Sequence, residues 1–216
     1  MIQSVDFNSW PRKAIYDFFG EISDPFYMVT FRQDVTDIRS FAKRNGLSFY
    51  LCMVYLVSGA FNSVEAFRYT VREGDLYLLD ERLPSFTDLP EDSDEFRIIT
   101  MPELGENIFT FCAKAEARRI AQKDFIDQSG ETDGLIYLSC LPWFDLTALT
   151  NERDLSTKES RESNIPSIAW GRYEDHAGRK ELGLSIEVNH RFIDGIHLGQ
   201  FKNALDRLIR NLPERI

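Results

Sequence analysis

The amino-acid sequence predicts an α/β sandwich built on a mixed β-sheet. Three observations carry this prediction. Short segments rich in aromatic and β-branched residues alternate with segments of helical periodicity from end to end, as stacked α and β layers require. Two hydrophobic runs flank Glu73-Gly74-Asp75, a hairpin signal that forbids an all-parallel sheet. Finally, 216 residues at 43% hydrophobic and 13% aromatic supply one large core, so residues 1–216 are expected to form a single domain and not a disordered chain.

The elements follow in order. Ser9 is placed to cap a helix with Pro11 in its first turn, where a missing N–H loses nothing; the helix runs to about Phe19, and Gly20 can end it. Phe26 to Phe31 reads as a strand. Asp34-Val35-Thr36 opens a second helix with Ile38, Phe41 and Ala42 on one face, stopped at Gly46. Ser48 caps a third helix to about Phe61, apolar on every side and therefore buried. Phe67 to Val71 and Leu76 to Leu79 are the hairpin strands, and Phe96 to Thr100 is another strand. A long helix is expected from about Gly105 to Asp127, with Ile108, Phe111, Ala115 and Ile120 near helical spacing. Gly134 then admits a strand, Leu135 to Cys140, closed by Leu141-Pro142-Trp143. Asn151 to Asn164 is polar and charged and reads as an exposed excursion. Ser167 to Tyr173 and Leu182 to Val188 read as strands joined by a loop, Glu174 to Lys180. The last helix places Phe201, Leu205, Leu208 and Leu212 on one face.

Composition excludes several functions. With 25 basic against 35 acidic residues the formal net charge is -10, which leaves no basic surplus for nucleic-acid phosphates or an anionic membrane. The longest apolar run, Phe49 to Phe61, is too short to span a bilayer. The opening MIQSVDFNSW has no basic start and no apolar stretch, so no signal peptide is expected. Cys52, Cys112 and Cys140 are widely spaced in apolar contexts; they predict buried, reduced thiols in a cytoplasmic protein, with no disulfide framework and no metal site.

Neutral-pH proton transfer favours histidine, and the chain has three. His176 sits in a polar loop and reads as solvated, and His197 in the first turn of the last helix reads as a partly buried polar side chain. His190 follows a strand and opens His190-Arg191-Phe192-Ile193-Asp194-Gly195, a base with a carboxylate four residues on, in a loop that Gly195 lets turn sharply. Spacing alone leaves open a structural histidine beside an ion-paired aspartate.

That HxxxDG motif resembles the one shared by coenzyme A-dependent acyltransferases: dihydrolipoamide acyltransferases, peptide-synthetase condensation domains and chloramphenicol acetyltransferases. Further segments resemble the last family: Val5-Asp6-Phe7 with Trp10-Pro11-Arg12-Lys13, Phe67-Arg68 with the hairpin to Asp80, Pro84-Ser85-Phe86-Thr87, Leu138 to Trp143, and Trp170-Gly171-Arg172-Tyr173. They fall in that family's order and spacing over essentially the whole chain.

The resemblance implies a two-layer sandwich with a large mixed sheet, and acetyl transfer from acetyl-coenzyme A, a co-substrate and not a resident cofactor, to a hydroxyl of a small-molecule acceptor. It implies that His190 is the general base, that Ser139 hydrogen-bonds the oxyanion, and that Asp194 pairs with Arg12 to hold the His190 loop. Tyr50, Arg172 and Tyr173 match positions lining the coenzyme A channel. Phe19, Tyr27 and Phe96 match the acceptor pocket, around Phe26 and Asn151. A homotrimer with sites between subunits is implied as well.

The sequence departs from the pattern twice. Asn189 stands where most members that inactivate chloramphenicol carry a first of two histidines, and Ala169 stands where the family has a threonine that organises water near the oxyanion. Both departures bear on the acceptor more than on the reaction class, and chloramphenicol is expected to be a poor acceptor. Two other readings compete: a catalytically weak binding protein that keeps the fold, and the catalytic domain of a lipoyl-dependent complex. Against the latter, no lipoyl domain or Ala/Pro-rich linker is present in the sequence.

Overall fold

A computed structural model describes residues 2–212, folded around two sheets. The smaller is antiparallel, in the order β1 (Ile2–Val5), β4 (Asp75–Leu79), β3 (Tyr69–Arg72). The larger has the order β2 (Phe26–Asp34), β10 (Arg179–Asn189), β8 (Ser167–Gly171), β7 (Leu135–Leu141), β5 (Leu83–Asp88), β6 (Arg97–Thr100), with β9 (Glu174–His176) also on β10. The β5–β7 and β7–β8 pairs are parallel and the others antiparallel, so the expected mixed sheet is present.

Helices cover one face of it. The helix α3 (Phe49–Asn62) is buried on all sides, as its apolar sequence predicts, and Ser48 caps it by accepting from Leu51 N. It packs against α2 (Thr36–Asn45), α4 (Ile108–Ala121), α6 (Gly195–Arg210) and strands β5 and β7. Ile168, Trp170, Leu184, Ile186 and Val188 belong to the core under the helices and are at most 2% exposed. Each such aliphatic side chain contributes roughly 1.5–3 kcal/mol by leaving water.

The other sheet face is crossed by the segment 143–149, which lies against two strand glycines. A Cβ on Gly183 would fall 1.7 Å from Leu146 O, and one on Gly171 would fall 2.5 Å from Phe144 O. A short helix α5 (Lys158–Glu162) follows, and α1 (Lys13–Gly20) lies near it through Tyr16, whose hydroxyl donates to Glu162 at 3.2 Å.

Several expectations need correction. Helix α1 starts at Lys13, with Ser9 and Pro11 outside it: Ser9 Oγ donates to Asp6 O, and Trp10 is buried among Phe7, Tyr16 and Phe192. Gly20 is the last residue of α1, as expected, and its missing side chain leaves room for the Arg191 guanidinium, 3.0 Å from where a Cβ would sit. Phe67 belongs to a 3-10 turn, Glu65–Arg68, and not to β3. Helix α4 ends at Ala121 because the chain then runs beside β6, Ile98 N donating to Phe125 O; Ile120 is consequently 65% exposed. The expected 174–180 loop is a hairpin, turned by Ala177 and Gly178 at φ 53 and 84. Leu212 lies past the end of α6. Asn164 ends the excursion buried, not exposed, donating to Tyr69 O. Among the thiols, Cys52 and Cys112 are buried and free, their sulfurs within hydrogen-bond reach at 4.0 Å, whereas Cys140 is half-buried.

Candidate active site

His190 sits one residue beyond β10, where the chain must turn. Asn189 builds that turn: its carbonyl accepts from Phe192 N and Ile193 N, and its side-chain Oδ1 accepts from Arg191 N at 3.0 Å. Phe192 and Ile193 are fully buried and anchor the loop in the core. Gly195 is not the hinge the sequence suggested. It is the first residue of α6, with no positive φ and open space around it.

Arg12 binds this loop from the N-terminal segment. Its Nη2 donates to His190 O at 2.8 Å and to Asp194 Oδ1 at 2.9 Å, its Nη1 to Asp194 Oδ2, and its Nε to Arg191 O at 2.9 Å. The pair is bidentate, which fixes geometry as well as charge. Hydrogen bonding to Arg12 holds the Asp194 carboxyl below the usual carboxylate range. The same carboxylate lies 3.3 Å from His190 Nε2 through Oδ1. Next to it, His197 Nδ1 accepts from Asp194 N at 2.9 Å, and burial pulls the His197 pKa below its ordinary value.

The imidazole of His190 is held between aromatic rings while its side chain stays 34% exposed. Phe19 stacks on it with centroids 3.9 Å apart, and the Tyr27 ring lies at 4.5 Å. The Tyr27 hydroxyl donates to Ile193 O, and burial pushes its pKa up to about 12. Beside Tyr27 opens a cavity of about 200 Å³, lined also by Phe26, Asn151, Arg153 and Glu187. Glu187 is buried there, paired with Arg153 and accepting from Asn151 N; the Arg153 guanidinium lies 3.8 Å over the Phe26 ring. This charged pair was not expected from the sequence. A single charged residue in the mostly apolar strand Leu182 to Val188 was the available signal.

The remaining expected residues gather elsewhere. Ser139 on β7 is level with Ala169 on β8, which is level with Ser185 on β10. On its other side Ser139 Oγ lies 3.3 Å from Thr87 Oγ1. Tyr50 belongs to this group: its hydroxyl donates to Thr87 O at 2.6 Å and its ring lies 5.6 Å from Trp170. Tyr173 packs on Phe49 and accepts from Arg39 Nε. Arg172 is exposed and engaged by Glu174, a surface pair of about 0–1 kcal/mol that a phosphate could displace. Phe96 stands before β6, at the opposite edge of the sheet from β2, against Phe125. Within one chain the fold therefore brings Arg12, Phe19, Tyr27 and Asp194 to His190, and does not bring Ser139, Tyr50, Arg172, Tyr173 or Phe96.

Asn189 explains its own departure. Besides its bond from Arg191 N, its Nδ2 donates to Arg161 O at 2.8 Å and to Ser163 O at 2.9 Å. It is 1% exposed and ties the 151–164 segment to the base of the His190 loop.

Known proteins share the fold and most of the length of the chain. Solved structures of dihydrolipoamide acetyltransferases share the fold; one from Azotobacter vinelandii covers 92% of the chain at TM-score 0.66 and 15% identity, with 86% of its own length matched. A solved chloramphenicol acetyltransferase covers 97% of the chain, and all of its own, at TM-score 0.86 and 26% identity. The chloramphenicol acetyltransferase of Vibrio anguillarum is 28% identical, over 96% of this chain and 94% of its own. That of Clostridium perfringens is 25% identical over 98% of this chain and 100% of its own. The sheet and helix layer are those of an acyltransferase fold. The chloramphenicol acetyltransferase family model matches residues 1–206, and the chain belongs to that family.

Proposed function

We propose that the chain transfers an acetyl group from acetyl-coenzyme A to a hydroxyl of a small-molecule acceptor, with His190 as general base. The observation that carries this reading is His190 itself: a half-open imidazole at a strand end, fixed by Phe19 and Tyr27 and faced by an ionised Asp194. His190 takes the acceptor's hydroxyl proton as the oxygen attacks the thioester carbonyl. Asp194 stabilises the imidazolium that forms, and Arg12 keeps Asp194 charged and in place. Collapse of the tetrahedral intermediate releases the coenzyme A thiol, which leaves with the proton returned by His190. Ser139 donates its hydroxyl hydrogen to the oxyanion, and the Tyr50 and Tyr173 region receives the coenzyme.

This reading requires two copies of the chain. Ser185 marks the level of Ser139 on β10, five residues from His190 and two strands away. At about 3.3 Å per residue and 4.8 Å per strand, His190 and Ser139 of one chain are roughly 19 Å apart. Base and oxyanion donor must each lie about 3 Å from one reacting centre. The site is accordingly shared between copies, His190 of one meeting Ser139 of another, in the homotrimer that the family resemblance implies. Free thiols at Cys52 and Cys112 suit the reducing cytoplasm.

A thiol-release assay with acetyl-coenzyme A and a panel of hydroxylated acceptors, chloramphenicol first, tests the reading. His190→Ala should lower the rate by about 10²–10⁴ while the protein stays folded. Retention of more than about a tenth would remove His190 from the chemistry. Chloramphenicol should be a poor acceptor, since Ala169 offers no hydroxyl beside Ser139 and the cavity next to Tyr27 holds a charged pair. Strong resistance conferred by the wild-type chain would refute that. A second reading, a ligand-binding protein of weak activity, is favoured by Ala169 alone, and tight acceptor binding without thiol release would select it.

A further inference from the structure

Three strands place Thr87, Ser139 and Ala169 side by side. Ser139 and Ala169 are register partners, and Phe86 pairs with Leu138, which sets Thr87 next to Ser139 on the opposite flank. The geometry points to Thr87 as a positioning residue that aims the Ser139 hydroxyl at the oxyanion; this rests on the oxyanion role proposed for Ser139.

A serine hydroxyl has one hydrogen to donate and two lone pairs. If that hydrogen serves the oxyanion, the rotor is fixed only when another donor engages a lone pair. Ala169 cannot do so. Thr87 Oγ1, at 3.3 Å, can. Donation from Thr87 into Ser139 polarises the serine O–H toward the developing charge, a cooperative chain of two hydroxyls. The separation is long for two hydroxyls, as catalytic hydrogen bonds commonly are before the reacting complex forms.

Thr87 is itself held firmly. The Tyr50 hydroxyl donates to its carbonyl at 2.6 Å. The next residue, Asp88, is 3% exposed and receives Arg97 Nη2 at 2.7 Å and Arg119 Nε at 2.6 Å. The end of β5 is thus pinned by helix α3, helix α4 and strand β6 together. So many bonds on a strand end that carries no expected catalytic residue are accounted for if that end has to place one hydroxyl accurately. Tyr50 then acts on Ser139 through Thr87, besides whatever surface it offers the coenzyme.

Thr87→Val keeps the shape and removes the hydroxyl. It should lower kcat about ten-fold, less than the 10²–10³ for losing an oxyanion donor outright, and leave KM for acetyl-coenzyme A within two-fold. Thr87→Ser should recover most of the rate. In a Ser139→Ala background Thr87→Val should cause no further loss, and Ala169→Thr should partly rescue Thr87→Val by supplying a hydroxyl from β8. Wild-type kcat in Thr87→Val, equal losses in Thr87→Ser and Thr87→Val, or full additivity with Ser139→Ala would each overturn the proposal. Crystal structures decide it without turnover: Ser139 should hold one rotamer in the wild type and spread over two or more in Thr87→Val, and one unchanged rotamer in both would overturn it. A wild-type protein without acetyl transfer to any acceptor would instead refute the functional reading, and the rotamer comparison would still stand on its own.

Discussion

Asp194 serves two neighbours at once, and this sharing sets what its removal should do. It accepts two bonds from Arg12 and faces His190 Nε2 at 3.3 Å. Asp194→Asn removes the charge and leaves a guanidinium that is only 12% exposed in its side chain without a counter-ion. The expected loss is about 2 kcal/mol, below the figure for a fully buried pair because Asp194 is 31% exposed. Arg12→Ala should share the phenotype, lost activity with lower Tm, and the double mutant should be little worse than either single one. Fully additive losses in that cycle would mean the two do not act together. The pH dependence follows from the sign of the shift. Asp194 is depressed in the folded state, so its stabilisation is complete above the unfolded carboxylate value of about 3.9 and fades as pH falls through the lower folded value. Tm of the wild type should therefore fall more steeply than that of Asp194→Asn below about pH 4, and parallel acid limbs would contradict the assignment.

At the scale of elements, the glycines of β8 and β10 are where the sheet is least forgiving. Gly183→Ala would drive a methyl into the Leu146 carbonyl, a backbone atom that no rotamer change can clear. The expected loss is about 3 kcal/mol, at the upper end for overpacking, with the 143–149 segment lifted from the sheet. Unchanged thermal unfolding of Gly183→Ala would show that this segment does not pack as described. The sequence announces neither glycine, because the clash is with residues some 25 to 37 positions away in the chain. Local signals, by contrast, were legible: Ser48 caps α3, and Gly46 ends α2 in the left-handed conformation at φ 64. Strand β5 was hidden, since Leu83-Pro84-Ser85-Phe86-Thr87-Asp88 mixes a proline with buried polar residues and has no alternation to reveal it. Ser9 misled because a capping residue is only as good as its surroundings, and burial of Trp10 moved the helix start to Lys13. For the candidate site, the His190 to Gly195 motif and the Arg12 segment pointed to a cluster the structure assembles. That Ser139 lies far from it depends on strand order, which puts β7 two strands from β10 and is a long-range property that local patterns do not carry. Asn189 likewise looked like a lost histidine and is a three-bond anchor, so Asn189→His should destabilise the loop rather than restore chloramphenicol turnover.

For the whole molecule, the proposed sharing of the site between copies predicts apolar surface around both His190 and Ser139. Phe18 at 67% and Ile196 at 66% exposure flank the His190 cluster, while Trp143 at 61% and Phe144 at 59% follow the strand that carries Ser139. Large apolar side chains bordering both halves of a divided site are what an interface that closes the site would use. A net charge of -10 does not oppose this, because net charge acts broadly while an interface is local. In a cyclic trimer each site would take His190 from one copy and Ser139 from the next. A His190→Ala chain still supplies an intact Ser139, and a Ser139→Ala chain still supplies an intact His190. When the two inactive proteins are dissociated, mixed in equal amounts and reassembled, a site is intact when a Ser139→Ala copy faces a His190→Ala copy in the right order, which happens for about a quarter of sites under random closed assembly. Thiol release near a quarter of the wild-type rate should then appear from two proteins that separately have almost none. The mass by sedimentation should be about three times the 25.1 kDa of the chain, by the same symmetry. No recovery in the mixture, or full activity in a sample sedimenting as a monomer, would place base and oxyanion donor in one chain and require a partner other than Ser139 for His190.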